Sequence, residues 1–315
     1  MQRRIVITGA DGFIGSHLSR FLASHGYEVY AVTLPGSPTQ ERIRGITGIH
    51  IVEGDLGQIG QFAEKLPPDI FAMVHLAWIG VSPEHRKSID IQKKNLDLTL
   101  NAVRLASQIG VEKFVFPGST FEYLYSGTII NRDTKPSPQD AYGASKIAAR
   151  YYGEILCGQL GISFIYTVIT GIYAADRLDN NVINYAITEL LHERKPSLTR
   201  LEQLWDYVHI DDVVNAMEAI IRRGKKGGFY VIGHGDNCAL SKYIFTIRDL
   251  INPALPLGIG DIPYSSDRMP MSCVDLSELR RDTGFEPEID FEVGIQQVIE
   301  NIKVREGVND SLFET

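Results

Sequence analysis

Cysteine is scarce in this chain: Cys157, Cys238 and Cys273 are the only three among 315 residues. Their number is odd, and no CxxC or histidine spacing accompanies them, which argues against a disulfide framework and a structural zinc site. Long apolar runs are missing too. Nowhere do about eighteen consecutive apolar residues occur, and the segment entering the first strand has no signal-type stretch. A cytoplasmic protein without membrane association is expected. Basic charge is also short, 31 Lys and Arg against 39 Asp and Glu for a net charge of -8. That balance excludes the broad basic face of a nucleic-acid binder, so any anionic ligand must be held locally. Internal repeats, heptads and low-complexity tracts are absent, and the polar tail from Glu306 to Thr315 is expected to fray.

What the chain does have stands at its start. The apolar run Ile5-Val6-Ile7 flows into Thr8-Gly9-Ala10-Asp11-Gly12-Phe13-Ile14-Gly15 and then into an apolar-periodic stretch through Leu18, Phe21 and Leu22. A buried strand, a glycine turn and a helix start in that order put a dinucleotide diphosphate on the positive end of a helix. Gly9 suits the tight turn, Gly12 the approach of backbone to phosphate, and Gly15 close packing of helix on strand.

Strand-like runs recur at 28–32, 50–52, 70–76, 113–116, 163–169 and 228–232, with helical periodicity at 89–109, 141–160 and 211–222. Strand alternating with helix predicts an α/β fold, a Rossmann-type doubly wound parallel sheet covered on both faces. The alternation loosens after Gly171. We therefore expect a dinucleotide-binding domain over 1–172 plus 204–232 and a smaller, mainly C-terminal substrate lobe over 173–203 plus 233–315.

Tyr142 and Lys146 stand four apart at the start of a helical stretch, so both project from one face onto one bound molecule. A phenol titrates near ~10 in isolation, and a neighbouring ammonium together with an oxidised nicotinamide would draw it toward working pH. Tyr142 could then exchange a hydroxyl proton during hydride transfer. Ser119 is expected just past a strand's carboxyl end, where parallel sheets bind ligands and where its hydroxyl can bond the reacting oxygen.

These motifs, with Gly54-Asp55-Leu56, His75-Leu76-Ala77, Asn95 and Trp205-Asp206-Tyr207-Val208-His209-Ile210-Asp211-Asp212 in order, make the chain resemble the extended short-chain dehydrogenase/reductase family of nucleotide-sugar epimerases, dehydratases and reductases. The resemblance covers nearly the whole length. It implies Ser119, Tyr142 and Lys146 as the catalytic triad, with Tyr142 and Lys146 also touching the cofactor. It further implies Gly9, Asp11, Gly12, Phe13, Ile14 and Gly15 around the diphosphate, Asp55 and Leu56 at the adenine, and Leu76 and Ala77 on the nicotinamide side. Asn95 is read as an inner structural group, His75 and His209 as packed residues without catalytic roles, and Asp206, Asp211 and Asp212 as caps of the following helix. A homodimer through the helices at 89–109 and 141–160 is expected by the same resemblance.

The chain also departs from the family pattern. Thr33 stands where an acidic residue would bond the adenosine ribose, which leaves NAD and NADP both open. Trp205 replaces an arginine clamp and can stack on a flat ring, with Arg200 or Arg268 to compensate. On the substrate side Thr120, Asn181, Trp205 and Arg268 are the expected contacts, with Asn180 as a helix cap. The dehydratases' Asp-Glu pair is replaced by Thr120 and Phe121, although Glu122 follows one step on. The expected activity is a 4-epimerase acting on a nucleotide-diphosphate sugar through a 4-keto intermediate. A 4-ketoreductase is the runner-up, and a 4,6-dehydratase or a non-catalytic dinucleotide-binding module are the remaining alternatives.

Overall fold

The computed structural model describes residues 3–177, 179, 181–264 and 269–308. In chain order its first half runs β1 (Arg4–Thr8), α1 (Phe13–Ser24), β2 (Glu28–Thr33), β3 (Ile49–Glu53), β4 (Ala72–His75), α2 (Pro83–Arg86), α3 (Ile89–Gln108), β5 (Lys113–Ser119), α4 (Ala141–Gln159) and β6 (Ser163–Ile169). Next come β7 (Gly171–Tyr173), α5 (Val182–Leu191), β8 (Ser197–Leu198), β9 (Leu204–Trp205), β10 (Tyr207–His209), α6 (Ile210–Arg223) and β11 (Phe229–Ile232). The chain continues with β12 (Cys238–Ala239), α7 (Leu240–Ile251), β13 (Gly258–Ile259), α8 (Ser277–Thr283) and α9 (Phe291–Glu306).

Seven strands form one parallel sheet in the order β11-β6-β5-β4-β1-β2-β3. The order reverses between β1 and β4, and a crevice outside the strand ends at such a reversal is where open α/β sheets bind ligands. Thr8 lies directly beside His75 in that register, so the glycine turn after β1 and the loop after β4 share one crevice.

Strand alternation sends side chains to two cores. Ile5 and Ile7 go to the face covered by α1 and α6, while Val6 goes to the face covered by α3 and α4. Each face is apolar because both are covered, which explains the near-continuous hydrophobic strands in the sequence. A third core joins α5, α7 and α9 around Ile187, Leu190, Ile244, Ile247, Ile295 and Val298; these helices make the smaller lobe. Within the stretch expected in that lobe, however, Val274, Leu276, Leu279 and Phe285 bury into the two cores of the sheet. Their α8 packs against α6 and β11.

The strand at 113–119 extends three residues beyond its sequence-based end. Ser119 is consequently the last residue of β5 rather than just past it. No helix among the described residues is long and apolar enough to cross a membrane.

Candidate active site

The glycine turn is built to admit an anion. Gly9 has φ of 67°, and a Cβ there would stand 2.7 Å from the backbone nitrogen of Ala77. A Cβ on Gly15 would stand 2.2 Å from the Gly9 carbonyl oxygen. Only bare backbone lets the turn, α1 and the loop after β4 come together this closely. Gly12 is the N-cap of α1 and no side chain caps the helix, so its leading N–H groups have no side-chain partner. That arrangement fits a dinucleotide diphosphate. Phe13 and Ile14 are half-buried beside it.

The loop after β2 folds back onto two carboxylates. Asp11 accepts the Thr39 hydroxyl at 2.7 Å and the Ser37 hydroxyl at 2.5 Å, while Glu53 accepts the Gly36 N–H at 3.1 Å and the Gln40 amide at 3.0 Å. Those bonds hold the Glu53 carboxyl below its ordinary range. Thr33, expected to face the cofactor, is 2 % exposed, and its hydroxyl is taken by Gln40 at 2.9 Å. Arg42 reaches the Asp11 carbonyl at 3.3 Å. Beyond β3, exposed Asp55 accepts the Gly57 N–H at 2.7 Å, whereas the Leu56 side chain is buried.

The loop after β4 is pinned from beneath. Buried Asn95 accepts the Ile79 N–H at 2.8 Å and donates to its carbonyl at 3.0 Å, the inner structural role read from the sequence. Leu76 and Ala77 stay half-buried beside the turn. His75 is fully enclosed between Thr8 at 2.8 Å and Thr99 at 3.1 Å. Burial first, and then the charge of Lys146, push its pKa down to about 3, so it is a neutral packed imidazole.

Ser119, Tyr142 and Lys146 converge where β5 meets the start of α4. Asp140 caps α4 by accepting the Gly143 N–H at 2.8 Å. A Cβ on Gly143 would stand 2.8 Å from the Phe121 carbonyl, so this glycine lets the helix start press onto the turn after β5. Tyr142 thereby lies near Ser119, whose hydroxyl favours the ionised phenol. Lys146 donates to the Pro117 carbonyl at 2.7 Å.

Electrostatics differ from the sequence-based expectation. Burial, and then the nearby Glu122 carboxylate, push the Tyr142 pKa up to about 12, with Ser119 acting in the opposite direction. Burial also pulls Lys146 below its ordinary value. Desolvation is the largest influence on the phenol, and the protein alone keeps Tyr142 protonated.

Two neighbours escaped the sequence reading. Trp78 presents its ring 4.1 Å from the Lys146 ammonium and edge-on to the Tyr142 ring at 6.0 Å, with its indole N–H fixed by Gln92 at 2.9 Å. Arg86 lies 4.3 Å over Phe121, which meets Tyr142 at 6.0 Å. The signal was present, since Trp78 sits in the loop following the His75-Leu76-Ala77 motif and Arg86 ends the short helix α2 that follows it. Glu122 stands next to the site in sequence, but its carboxylate is held behind β5. It is fully buried behind Ser119, accepting the Ser119 N–H at 2.7 Å and the Tyr166 hydroxyl.

On the substrate side the expectations divide. Thr120 is beside the site but buried. Asn181, expected as a contact with Asn180 as the cap, is itself the N-cap of α5 through the Asn184 N–H at 3.0 Å. Trp205 pairs with Cys238 in a two-stranded ribbon, and its indole nitrogen is buried without a hydrogen-bond partner. Asn180 and Arg268 lie outside the described residues.

Two of the three aspartates expected as caps of α6 are claimed by backbone N–H groups distant in sequence. Asp206 accepts from His234 at 2.9 Å and Gly235 at 2.7 Å, and Asp212 accepts from Glu288 and Ile289 at 3.0 Å each. Asp211 lies in the first turn, and His209 is the cap, accepting the Asp211 N–H at 3.3 Å.

Residues 5–233 match the sequence profile of the NAD dependent epimerase/dehydratase family. The chain is 23% identical to UDP-glucose 4-epimerase of Azospirillum brasilense, over 93% of this chain and 89% of that one. It is likewise 23% identical to CDP-abequose synthase of Salmonella typhimurium, over 96% and 99% of the two chains. The crystal structure of dTDP-glucose 4,6-dehydratase from Bacillus anthracis in complex with NAD superposes with a TM-score of 0.79 at 19% identity, covering 97% of this chain and 98% of that one.

Proposed function

The chain belongs to the NAD-dependent epimerase/dehydratase family, and from that premise we propose that it is a nucleotide-sugar 4-epimerase working through a 4-keto intermediate. Bound NAD would supply the hydride acceptor and donor. The observation that carries the reading is the convergence of one hydroxyl, one phenol and one ammonium, Ser119, Tyr142 and Lys146, beside a turn whose bare backbone leaves the start of α1 without a side-chain cap. In this reading Ser119 bonds the oxygen at C4 and Tyr142 takes its proton. Lys146 contributes positive charge that favours the phenolate once substrate and cofactor displace water. The oxidised nicotinamide adds to that charge and offsets the desolvation that holds the free protein's phenol near 12.

Elimination of water is disfavoured because the acid it would need is absent from the site. Thr120 and Phe121 hold the relevant places, and Glu122 is sealed behind Ser119 by the Tyr166 hydroxyl. Reduction is the second reading, favoured by buried Thr33, which offers no carboxylate to the adenosine ribose. Against it stand Asp11 and Glu53, whose carboxylates border the loop after β2 and oppose a 2′-phosphate. NAD is therefore the cofactor of the proposal.

The smaller lobe around α5, α7 and α9 would carry the sugar nucleotide. We place the enzyme in a reducing cytoplasm, in keeping with three free cysteines, and as a homodimer through α3 and α4, whose Ile89, Tyr151, Tyr152 and Ile155 are exposed. Light scattering at the mass of one chain would refute the dimer. The activity is tested by incubating purified protein with a panel of UDP-, CDP-, GDP- and dTDP-sugars without added reductant. Conversion to a C4 epimer by protein carrying NAD supports the proposal, and stoichiometric consumption of added NADPH by a 4-keto sugar overturns it.

A further inference from the structure

Lys146 is a buried cation with no carboxylate in direct contact among the described residues. Its ammonium spends one hydrogen bond on the Pro117 carbonyl at 2.7 Å and otherwise faces the rings of Trp78 at 4.1 Å and Phe116 at 4.9 Å. Burial favours loss of its proton, and the anion that opposes this loss is Glu122. Glu122 is an expensive residue to place there. It is enclosed on all sides, accepting the Ser119 N–H at 2.7 Å with one oxygen and the Tyr166 hydroxyl with the other. Space for it exists only because residue 118 is glycine, where a Cβ would stand 2.0 Å from the Tyr166 oxygen and 2.5 Å from a Glu122 oxygen. A carboxylate wholly buried and built into a fitted cradle behind a candidate active site calls for a role beyond packing.

We propose that Glu122 is the buried counter-charge that keeps Lys146 protonated while its hydrogen bond to Ser119 fixes the end of β5. It is a positioning residue, acting on the site from behind without touching substrate. The inference rests on the reading of Ser119, Tyr142 and Lys146 as the chemical centre, but not on which reaction they perform. Other charged groups face the same region. Arg150 on α4 lies 4.4 Å over the Tyr166 ring and bonds the Tyr123 hydroxyl at 3.0 Å, Arg86 on α2 lies over Phe121, and Asp140 caps α4 near Tyr142. His75 on β4 is neutral above about 3 and adds no charge. Burial raises the Glu122 carboxyl to about 7, while the Tyr166 hydroxyl, the Ser119 N–H and the charges of Lys146 and Arg150 act in the opposite direction, so Glu122 carries its charge above that value, in the range where Lys146 would give up its proton.

Glu122→Gln removes the charge while keeping an acceptor for Ser119. In protein carrying 13Cε-labelled lysine, the Lys146 resonance, assigned by its loss in Lys146→Arg, is titrated by NMR. The expected midpoint in Glu122→Gln is lower than in the wild type by about one pH unit or more, with NAD+ affinity changed less than about threefold. Where turnover is measured, the pH profile should move to lower pH on both limbs, because Tyr142 and Lys146 both lose an anionic neighbour. Should Glu122→Gln fail to fold, Tyr166→Phe weakens the ionised form of Glu122 and should shift the Lys146 midpoint the same way. An unmoved midpoint, or a lowered rate with an unmoved pH profile, overturns the proposal. A Tyr142→Phe variant with normal turnover would instead sink the reading of the centre and leave the Lys146 titration standing.

Discussion

The two ends of the crevice are held by opposite means. Around Tyr142 the charges are buried and the contacts rigid, with Lys146 and Glu122 enclosed and Gly118 and Gly143 permitting approaches no larger residue would allow. Around the loop after β2 the anchors are partly exposed hydroxyl-to-carboxylate bonds from Ser37 and Thr39 to Asp11. Burial makes each charge at the first end sensitive to its neighbours. At the second end the proposed selectivity depends on which sign of charge borders the loop. In the proposed reading the first end governs chemistry, and the second governs which dinucleotide stays.

Several substitutions would sharpen or break that contrast. The largest effect is expected at the chemical end, where Tyr142→Phe should lower turnover by about a thousandfold while leaving NAD+ binding nearly unchanged, as read by steady-state kinetics and fluorescence quenching. Between the ends, Gly15→Ala forces a methyl into the space 2.2 Å from the Gly9 carbonyl. Overpacking of that kind costs roughly 1 to 3 kcal/mol and should weaken NAD+ binding by about ten- to a hundredfold by calorimetry. At the ribose end, Asp11→Asn removes a charge that opposes a 2′-phosphate, so the ratio of NADP+ to NAD+ affinity should rise on the order of tenfold. If the ratio does not move, Asp11 is not part of the selection.

The smallest effect is a pH dependence of stability. His75 is buried neutral with its pKa lowered to about 3 from an ordinary 6.5. Between those values the unfolded chain binds the extra proton, so stability present above 6.5 is lost as pH falls toward 3. The loss attributable to His75 is at most roughly 5 kcal/mol over the whole window. Urea unfolding at pH 7 and pH 5 should show a shallower loss in His75→Asn than in the wild type, and equal losses would remove His75 from the account.

Much of the sheet and the main motifs was legible in the sequence, because apolar runs bounded by glycine turns report a two-sided parallel sheet directly. The strand at 163–169 and the helix starts at Ile89 and Ala141 fell where periodicity put them. The glycine turn and the Tyr142, Lys146 pair were readable because their spacing is local. Less legible was whatever depends on partners far along the chain. Asp206 and Asp212 looked like helix caps by residue type and position, yet backbone groups near residues 234 and 288 claim their carboxylates. Glu122 read as a stray acid near the site, since the sequence cannot say that Tyr166, 44 positions later, would close over it. The phenol's state in the free protein was illegible for a similar reason. A four-residue spacing shows the ammonium but hides the desolvation of both groups.

The most direct test follows a label. A nucleotide sugar carrying deuterium at C4, converted by the purified protein in ordinary water with no added reductant, should yield the C4 epimer with the deuterium retained, because the hydride leaves and returns within one closed site. Loss of the label to solvent, or turnover only when NADPH is supplied, would contradict the account.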